Sequence, residues 1–248
     1  MDDKSSLIGN PPGTYLETLP HPDGSDRAIE KAILMEHRFA FFFWMKWANR
    51  LRDSLAPNYS PPTLVTIDWH RDLAPPSDTL KEELLKLDPS DLSGAAKYVW
   101  ENFEQTNDGH IRCATWLNIV GDIILLKNSA GEMQDTVSDH QGNEHNIYEF
   151  REFDRFQDFM LSRNDQHLFF DIDLDYFVHG KGFQSYSDDF RRYSDDEIKA
   201  VVNCNLPAFQ HMLPRTKGIT IAQEPGYCGG IRNSCQILEV VHNQLFDG

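Results

Sequence analysis

Thr63-Leu64-Val65-Thr66-Ile67-Asp68-Trp69-His70-Arg71-Asp72 runs five strand-forming residues directly into an acidic cluster, and Pro61-Pro62 marks a break just before it. An apolar, β-branched run without polar alternation is the pattern of a strand covered on both faces. On an extended chain the side chains at i, i+2 and i+4 share one side, so Asp68, His70 and Asp72 converge at the strand's exit. Upstream, Ala32-Ile33-Leu34-Met35-Glu36 predicts another buried strand ending at His37, and Phe39 to Leu55 predicts an aromatic-rich helix. Strand, helix and strand in that order form a β-α-β unit, which implies a parallel sheet covered by helices, with His37 and Asp68 at neighbouring carboxyl ends.

Two later exits repeat the pattern. His167-Leu168-Phe169-Phe170 leads into Asp171-Ile172-Asp173-Leu174-Asp175, and Gly218-Ile219-Thr220-Ile221-Ala222 leads into Gln223-Glu224-Pro225-Gly226. In open α/β sheets functional groups gather beyond the carboxyl ends of the strands, so four separate exits point to one crevice. A lone Asp after a strand is often only a helix cap; the whole set is harder to explain that way.

Between these segments, Leu80 to Phe103 predicts helix broken near Asp88-Pro89-Ser90, with Ser90 capping its second half. Asn107-Asp108-Gly109-His110 reads as a turn, and a helix from Ile111 precedes the apolar Asp122-Ile123-Ile124-Leu125-Leu126. Lys127 to Asn146 reads as a polar loop with His140 and His145 in solvent, Glu152 to Leu161 as a helix, and Phe177 to Tyr193 as a loop. Ser194-Asp195-Asp196-Glu197 opens a helix with a capping box, and Ile231 to Phe246 closes the chain as a helix. Residues 1–26, rich in Pro, Gly, Ser and Asp, predict an irregular N-terminal arm or an edge element, at the start of a single domain spanning 1–248.

Composition narrows the partners. The 248 residues are 40% apolar and carry 39 acidic against 23 basic side chains, a formal charge of −16. That balance argues against nucleic acid or an anionic membrane as partner and favours a cationic substrate. Cys113, Cys204, Cys228 and Cys235 contain no CxxC pair, so reduced thiols and a cytoplasmic location are expected. The longest apolar stretch, Phe39 to Trp47, holds Lys46 and is too short to span a bilayer. The chain is compatible with a homo-oligomer.

The acidic clusters require cations. Two like charges about 5 Å apart repel by roughly 3 kcal/mol at an effective dielectric near 20. Carboxylate-rich, thiolate-free ligation with two imidazoles suits Mn²⁺ better than Zn²⁺, so a pair of Mn²⁺ ions is expected. An EF-hand loop starting at Asp171 would need Gly where Tyr176 stands and Glu where Gly182 stands. Cysteine catalysis has only Cys228, beside Gly229-Gly230, in its favour.

In this order, His37, Asp68-x-His70-x-Asp72 and Asp171-x-Asp173 resemble the arginase and deacetylase superfamily, in particular its ureohydrolase branch. Met35-Glu36-His37 and Phe170-Asp171-Ile172-Asp173-Leu174-Asp175-Tyr176-Phe177 are similar to motifs of a compact arginase-like branch that includes peptide arginases. The resemblance spans roughly residues 31 to 240 and is carried by the motifs. It implies a three-layer α/β/α sandwich with a mainly parallel central sheet, forming one arginase-like catalytic domain. It also implies two metal positions: His37, Asp68, Asp72 and Asp171 at one, and His70, Asp68, Asp171 and Asp173 at the other. Asp68 and Asp171 would bridge, leaving Asp175 outside the ligand set. Glu224 would bind a substrate guanidinium, Asp72 would handle the proton of the attacking water, and His110 would serve as proton shuttle.

The activity so implied is hydrolysis of arginine to ornithine with release of urea. Free-arginine enzymes of the family carry a GGDHS-like segment at the first His and a loop gripping the α-groups, whereas here Leu73-Ala74-Pro75-Pro76 follows the second motif. The expected substrate is therefore an arginine side chain within a ribosomally made precursor peptide. The alternatives are a free-arginine or other guanidino-compound ureohydrolase, a metal-dependent deacetylase or amidohydrolase, and a non-catalytic metal- or peptide-binding module. A deacetylase would normally show a tandem His pair, and the chain has none.

Overall fold

The structure is a computed structural model that describes residues 9–103, 106–129, 131–179 and 191–246. Its elements in chain order are β1 (Thr14–Pro20), β2 (Ala28–Leu34), α1 (Ala40–Leu55), β3 (Thr63–Asp68), α2 (Asp78–Leu84), α3 (Leu92–Glu101), α4 (His110–Trp116), β4 (Ile123–Lys127), β5 (Gln134–Ser138), β6 (Glu144–Phe150), α5 (Phe153–Ser162), β7 (Leu168–Asp173), β8 (Val178–His179), β9 (Arg191–Arg192), α6 (Asp195–Val201), α7 (Pro207–Met212), β10 (Thr216–Ala222) and α8 (Ile231–Phe246).

One 8-stranded sheet, ordered β1-β2-β10-β7-β3-β4-β6-β5, runs through the molecule. The strands from β2 to β6 in that order pair in parallel, and the edge strands β1 and β5 pair antiparallel to their neighbours. The central strands β3, β4 and β7 are buried along their whole length. Alternate residues feed two cores: Leu64, Ile123 and Phe169 pack with α1, α3 and α4, while Val65, Ile124 and Phe170 pack with α5 to α8. Helices thus cover both faces, as a three-layer α/β arrangement requires.

α1 shows how tightly the first layer is packed. Residues Ala40 to Ala48 are all buried, and Lys46 among them pairs with Glu30 at 3.4 Å. The indole of Trp47 lies so close to the backbone of β10 that a Cβ on Gly218 would collide with the ring. Among the described residues no helix is long and apolar enough to cross a membrane.

Several expectations need correction. Of residues 1–26, expected as an irregular arm or an edge element, Thr14–Pro20 is an edge strand paired with β2, whereas residues 1–8 lie outside the described residues. β2 and β3 are not neighbours, because β10 and β7 lie between them. α3 is capped by Asp91, which accepts from the Gly94 N–H at 2.9 Å, while the Ser90 hydroxyl turns to Asp88. The expected polar loop from Lys127 to Asn146 contains the hairpin of β5 and β6. It gave little apolar signal because Val137 is the one buried residue of β5. His145 is buried on β6 and stands 3.4 Å from Asp139, while His140 is exposed. Of the Phe177 to Tyr193 loop, residues 180–190 fall outside the described residues, and its flanks pair as β8 and β9. The capping box at Ser194 and Glu197 forms as expected.

Candidate metal centre

His37, Asp68, Asp173 and Glu224 stand at or just beyond the carboxyl ends of β2, β3, β7 and β10. The residues after β2 carry His37 across to β7, where its ring lies among four carboxylates. Its Nε2 stands 2.8 Å from Asp171 Oδ2. Its Nδ1 stands 3.1 Å from Asp72 Oδ2, 3.2 Å from Asp173 Oδ2 and 3.6 Å from Asp68 Oδ2.

Asp171 faces inward. Besides His37, its carboxylate accepts hydrogen bonds from the hydroxyls of Thr66 at 2.7 Å and Thr220 at 2.5 Å, and the Trp44 indole N–H donates to Thr220 in turn. Asp171 therefore orients His37 from below, as carboxylates behind metal-ligating histidines do. Asp173, one alternation further out, rather than the expected Asp171, groups with His37 and Asp68. Two residues along a strand are about 6.6 Å, so Asp171 and Asp173 share a face but not a depth.

Asp175, expected outside the ligand set, belongs to two of the groups whose donors stand close enough to hold a metal ion. β7 ends at Asp173, whose Oδ1 accepts from the Asp175 N–H at 3.0 Å and caps a 3₁₀ turn over Leu174–Phe177. That turn folds Asp175 back to 3.0 Å from His70 Nδ1. Asp68 Oδ1 accepts from the His70 N–H at 2.7 Å, while its Oδ2 is buried with no hydrogen-bond partner among the described residues. Donor atoms within 4.8 Å of one another form the groups His37/Asp68/Asp173, Asp68/His70/Asp175, His37/Asp72/His110 and Asp173/Asp175/Glu224. The separations of His37 Nδ1 from Asp72, Asp173 and Asp68, 3.1, 3.2 and 3.6 Å, lie within the roughly 4.2 Å that two donors on one cation at bond lengths of about 2.1 Å can span.

The electrostatics favour such a cation. Burial, followed by the charges of Asp72, Asp175 and Asp173, pushes Asp68 well above the usual carboxylate range. Burial and Asp175 raise Asp173 to about 7. Burial raises Asp72 despite the opposing pull of His37, and burial and Asp173 raise Glu224. Burial opposes charge on His37, yet Asp171 and the hydrogen bonds from Asp171, Asp173 and Asp72 outweigh it, so the ring holds a proton in the metal-free chain. Protons and the imidazolium thus compensate charge that divalent cations would otherwise neutralise. The thiol of Cys228 is pushed far upward by burial and Asp173, so it stays protonated and outside both thiolate ligation and cysteine catalysis.

Glu224 lines the cavity beside the cluster. Its Oε1 accepts from the His37 N–H at 3.0 Å and from the Asn107 amide, whose own Oδ1 accepts from the Arg38 N–H at 2.6 Å. The Arg38 guanidinium donates to carbonyls of Val99, Trp100 and Phe103, tying the carboxyl end of α3 to this turn. Asn107 escaped sequence reasoning; its one signal is the Asn-Asp-Gly turn, which suits its positive φ of 61°. Asp72 and Glu224 also have positive φ, 46° and 35°. Non-glycine residues held there cost on the order of 1 kcal/mol or more each, and such strain clusters at functional sites.

A cavity of about 470 Å³ opens above these groups, lined by His70, Asp72, Asn107, Asp108, Glu224 and Tyr227 together with the Leu73-Ala74-Pro75 segment. His110 is not in an exposed turn: it is the first residue of α4 and is fully buried. Burial and the neighbouring His37 charge hold its imidazole neutral. A group sealed from solvent is poorly placed to shuttle protons outward. No protein-family model matches the chain, and no curated protein matches it.

Proposed function

We propose that the protein is a binuclear manganese hydrolase of the arginase-like type that converts arginine side chains, within a ribosomally made precursor peptide, to ornithine with release of urea. The observation that carries this reading is the clustering of His37, Asp68, His70, Asp72, Asp173 and Asp175 beside a cavity that His70, Asp72 and Glu224 line. His37, Asp68, Asp72 and Asp173 would hold one ion, and Asp68, His70, Asp173 and Asp175 the other. An oxygen-rich donor set with imidazoles and no thiolate suits Mn²⁺. When bound, two such ions supply the Lewis acidity that makes water nucleophilic at neutral pH.

The chain's own residues do the rest. Glu224 accepts paired, charge-assisted hydrogen bonds from the planar guanidinium, and Asn107 and the His37 backbone fix its orientation. Asp72 takes the proton of the attacking water and delivers it to the departing nitrogen. Water adds to the guanidinium carbon, the bond from that carbon to the side-chain nitrogen breaks, and urea and a primary amine leave. Leu73-Ala74-Pro75, pinned by the bond from the Ala74 N–H to the Asp108 carbonyl at 2.8 Å, forms one wall, and the half-exposed Tyr227 stands at the mouth. The apolar side chains of this wall suit the flanking residues of a peptide substrate. None of the four cysteines forms a disulfide, in keeping with a reducing, cytoplasmic setting.

The test is urea release from an arginine-containing peptide, beside free arginine, using metal-stripped protein reloaded with Mn²⁺. Urea from the peptide, with the matching mass loss, supports the proposal. Urea mainly from free arginine makes the protein a compact conventional ureohydrolase, and none from either removes the hydrolase reading.

A further inference from the structure

The His110 ring is enclosed between two others. Its centroid lies 5.6 Å from that of Trp44, with the planes 25° apart, and 4.3 Å from that of His37. Its side chain is fully buried, and among the described residues neither ring nitrogen has a hydrogen-bond partner. Asp72 Oδ2 stands 3.9 Å from Nδ1, beyond hydrogen-bond reach. An imidazole sealed away with both nitrogens unsatisfied bears the full cost of desolvation, which a packed protein tolerates where a ligand supplies the missing partner.

The spacing identifies that partner. His37 Nδ1 and Asp72 Oδ2 are 3.1 Å apart, His110 Nδ1 and Asp72 Oδ2 are 3.9 Å apart, and the three groups place donors within 4.8 Å of one another. Around an octahedral ion with bonds of about 2.1 Å, donors stand about 3.0 Å apart when adjacent and about 4.2 Å apart when opposite. The 3.1 and 3.9 Å separations fall within that range, so donors from three parts of the chain stand close enough to share one cation. Sequence order concealed this, since His110 is 38 residues beyond Asp72 and reaches the centre only because α4 packs against α1.

We propose that His110 is a metal ligand, completing with His37 and Asp72 a two-imidazole position that fills before the carboxylate-rich position at Asp68, His70 and Asp175. The inference rests on the metal-centre reading above and deepens it, because it makes the two positions chemically unequal. First-row divalent ions bind imidazole-rich sets more tightly than carboxylate sets in the order that rises through cobalt, so the difference is largest with such a probe.

The experiment is a titration of metal-free protein with Co²⁺, followed by visible absorption and by metal analysis. Wild type should take up a tight and then a weaker equivalent. His110→Phe, which keeps a ring against Trp44 but has no donor, should lose the tight phase, with affinity reduced by on the order of 100-fold or more, while keeping the weaker one. Asp175→Ala should do the reverse. A wild-type titration by His110→Phe overturns the inference while leaving the metal centre intact, whereas no binding by wild type overturns both. A measurement on wild type keeps the question open to refutation should the variant fail to fold. Pulsed EPR of protein holding one equivalent of Mn²⁺ should show nitrogen couplings from two histidines, and couplings from one histidine overturn the proposal.

Discussion

Asp171 holds Nε2 of His37 at 2.8 Å, and this contact turns Nδ1 of the same ring toward Asp72, Asp173 and Asp68. One carboxylate behind the ring thus decides which nitrogen faces the other three carboxylates, and the two carboxylates of a single Asp-x-Asp segment contact opposite nitrogens of it.

Replacing them should have different consequences. Asp171→Asn should weaken Mn²⁺ binding by roughly 10- to 100-fold, the usual effect of altering a group behind a ligand. Asp173→Ala and His70→Ala should abolish urea release with the fold retained. Metal analysis after dialysis, with circular dichroism as the control for folding, separates the two classes. Equal metal loss in Asp171→Asn and Asp173→Ala would return Asp171 to the ligand set.

Glu224→Gln should leave metal content near wild type while lowering kcat/KM for the arginine substrate by roughly 100-fold, because the charged half of the guanidinium pairing is lost. Asn107→Ala should act in the same direction and less strongly, since it orients Glu224 without replacing it. Steady-state urea assays on both variants check this, and near-normal turnover of Glu224→Gln would remove it from substrate recognition.

The metal-free protein should lose stability as pH rises from 6.5 to 8.5. Asp173 and His37 have folded pKa values above their ordinary ones, so what they contribute at low pH is lost as pH rises, Asp173 by about 7 and His37 at higher pH. His110 has the opposite sign, but its share is lost only as pH falls below the ordinary histidine value, outside this window. Melting curves should show a drop of at least about 2 °C, equivalent to roughly 1 kcal/mol for a chain of this size. Saturating Mn²⁺ should reverse the slope, because metal binding displaces those protons. A flat metal-free profile would count against the charge cluster.

Gly218→Ala should destabilise the fold by about 1–3 kcal/mol, since the added methyl must displace the Trp47 indole from β10. Thermal or urea unfolding measures this, and an unchanged midpoint would mean that the ring moves without cost.

The sequence by itself determined the parallel α/β core and the set of chain exits that meet at the centre. Thr63 to Asp68 and Leu168 to Asp173 are short, largely apolar or β-branched runs ending in carboxylates, and strand length and periodicity are local properties. Edge elements such as β5 were hidden because a strand with one buried residue carries almost no pattern. Only the tertiary structure decided which nitrogen of His37 each carboxylate faces. Asp171 and Asp173 have the same parity but different depth, and Asp175 returns to the centre because a 3₁₀ turn ends the extended run. Only the packing of α4 against α1 brought His110 beside His37, because contacts between residues distant in sequence depend on how layers stack, which no local spacing encodes.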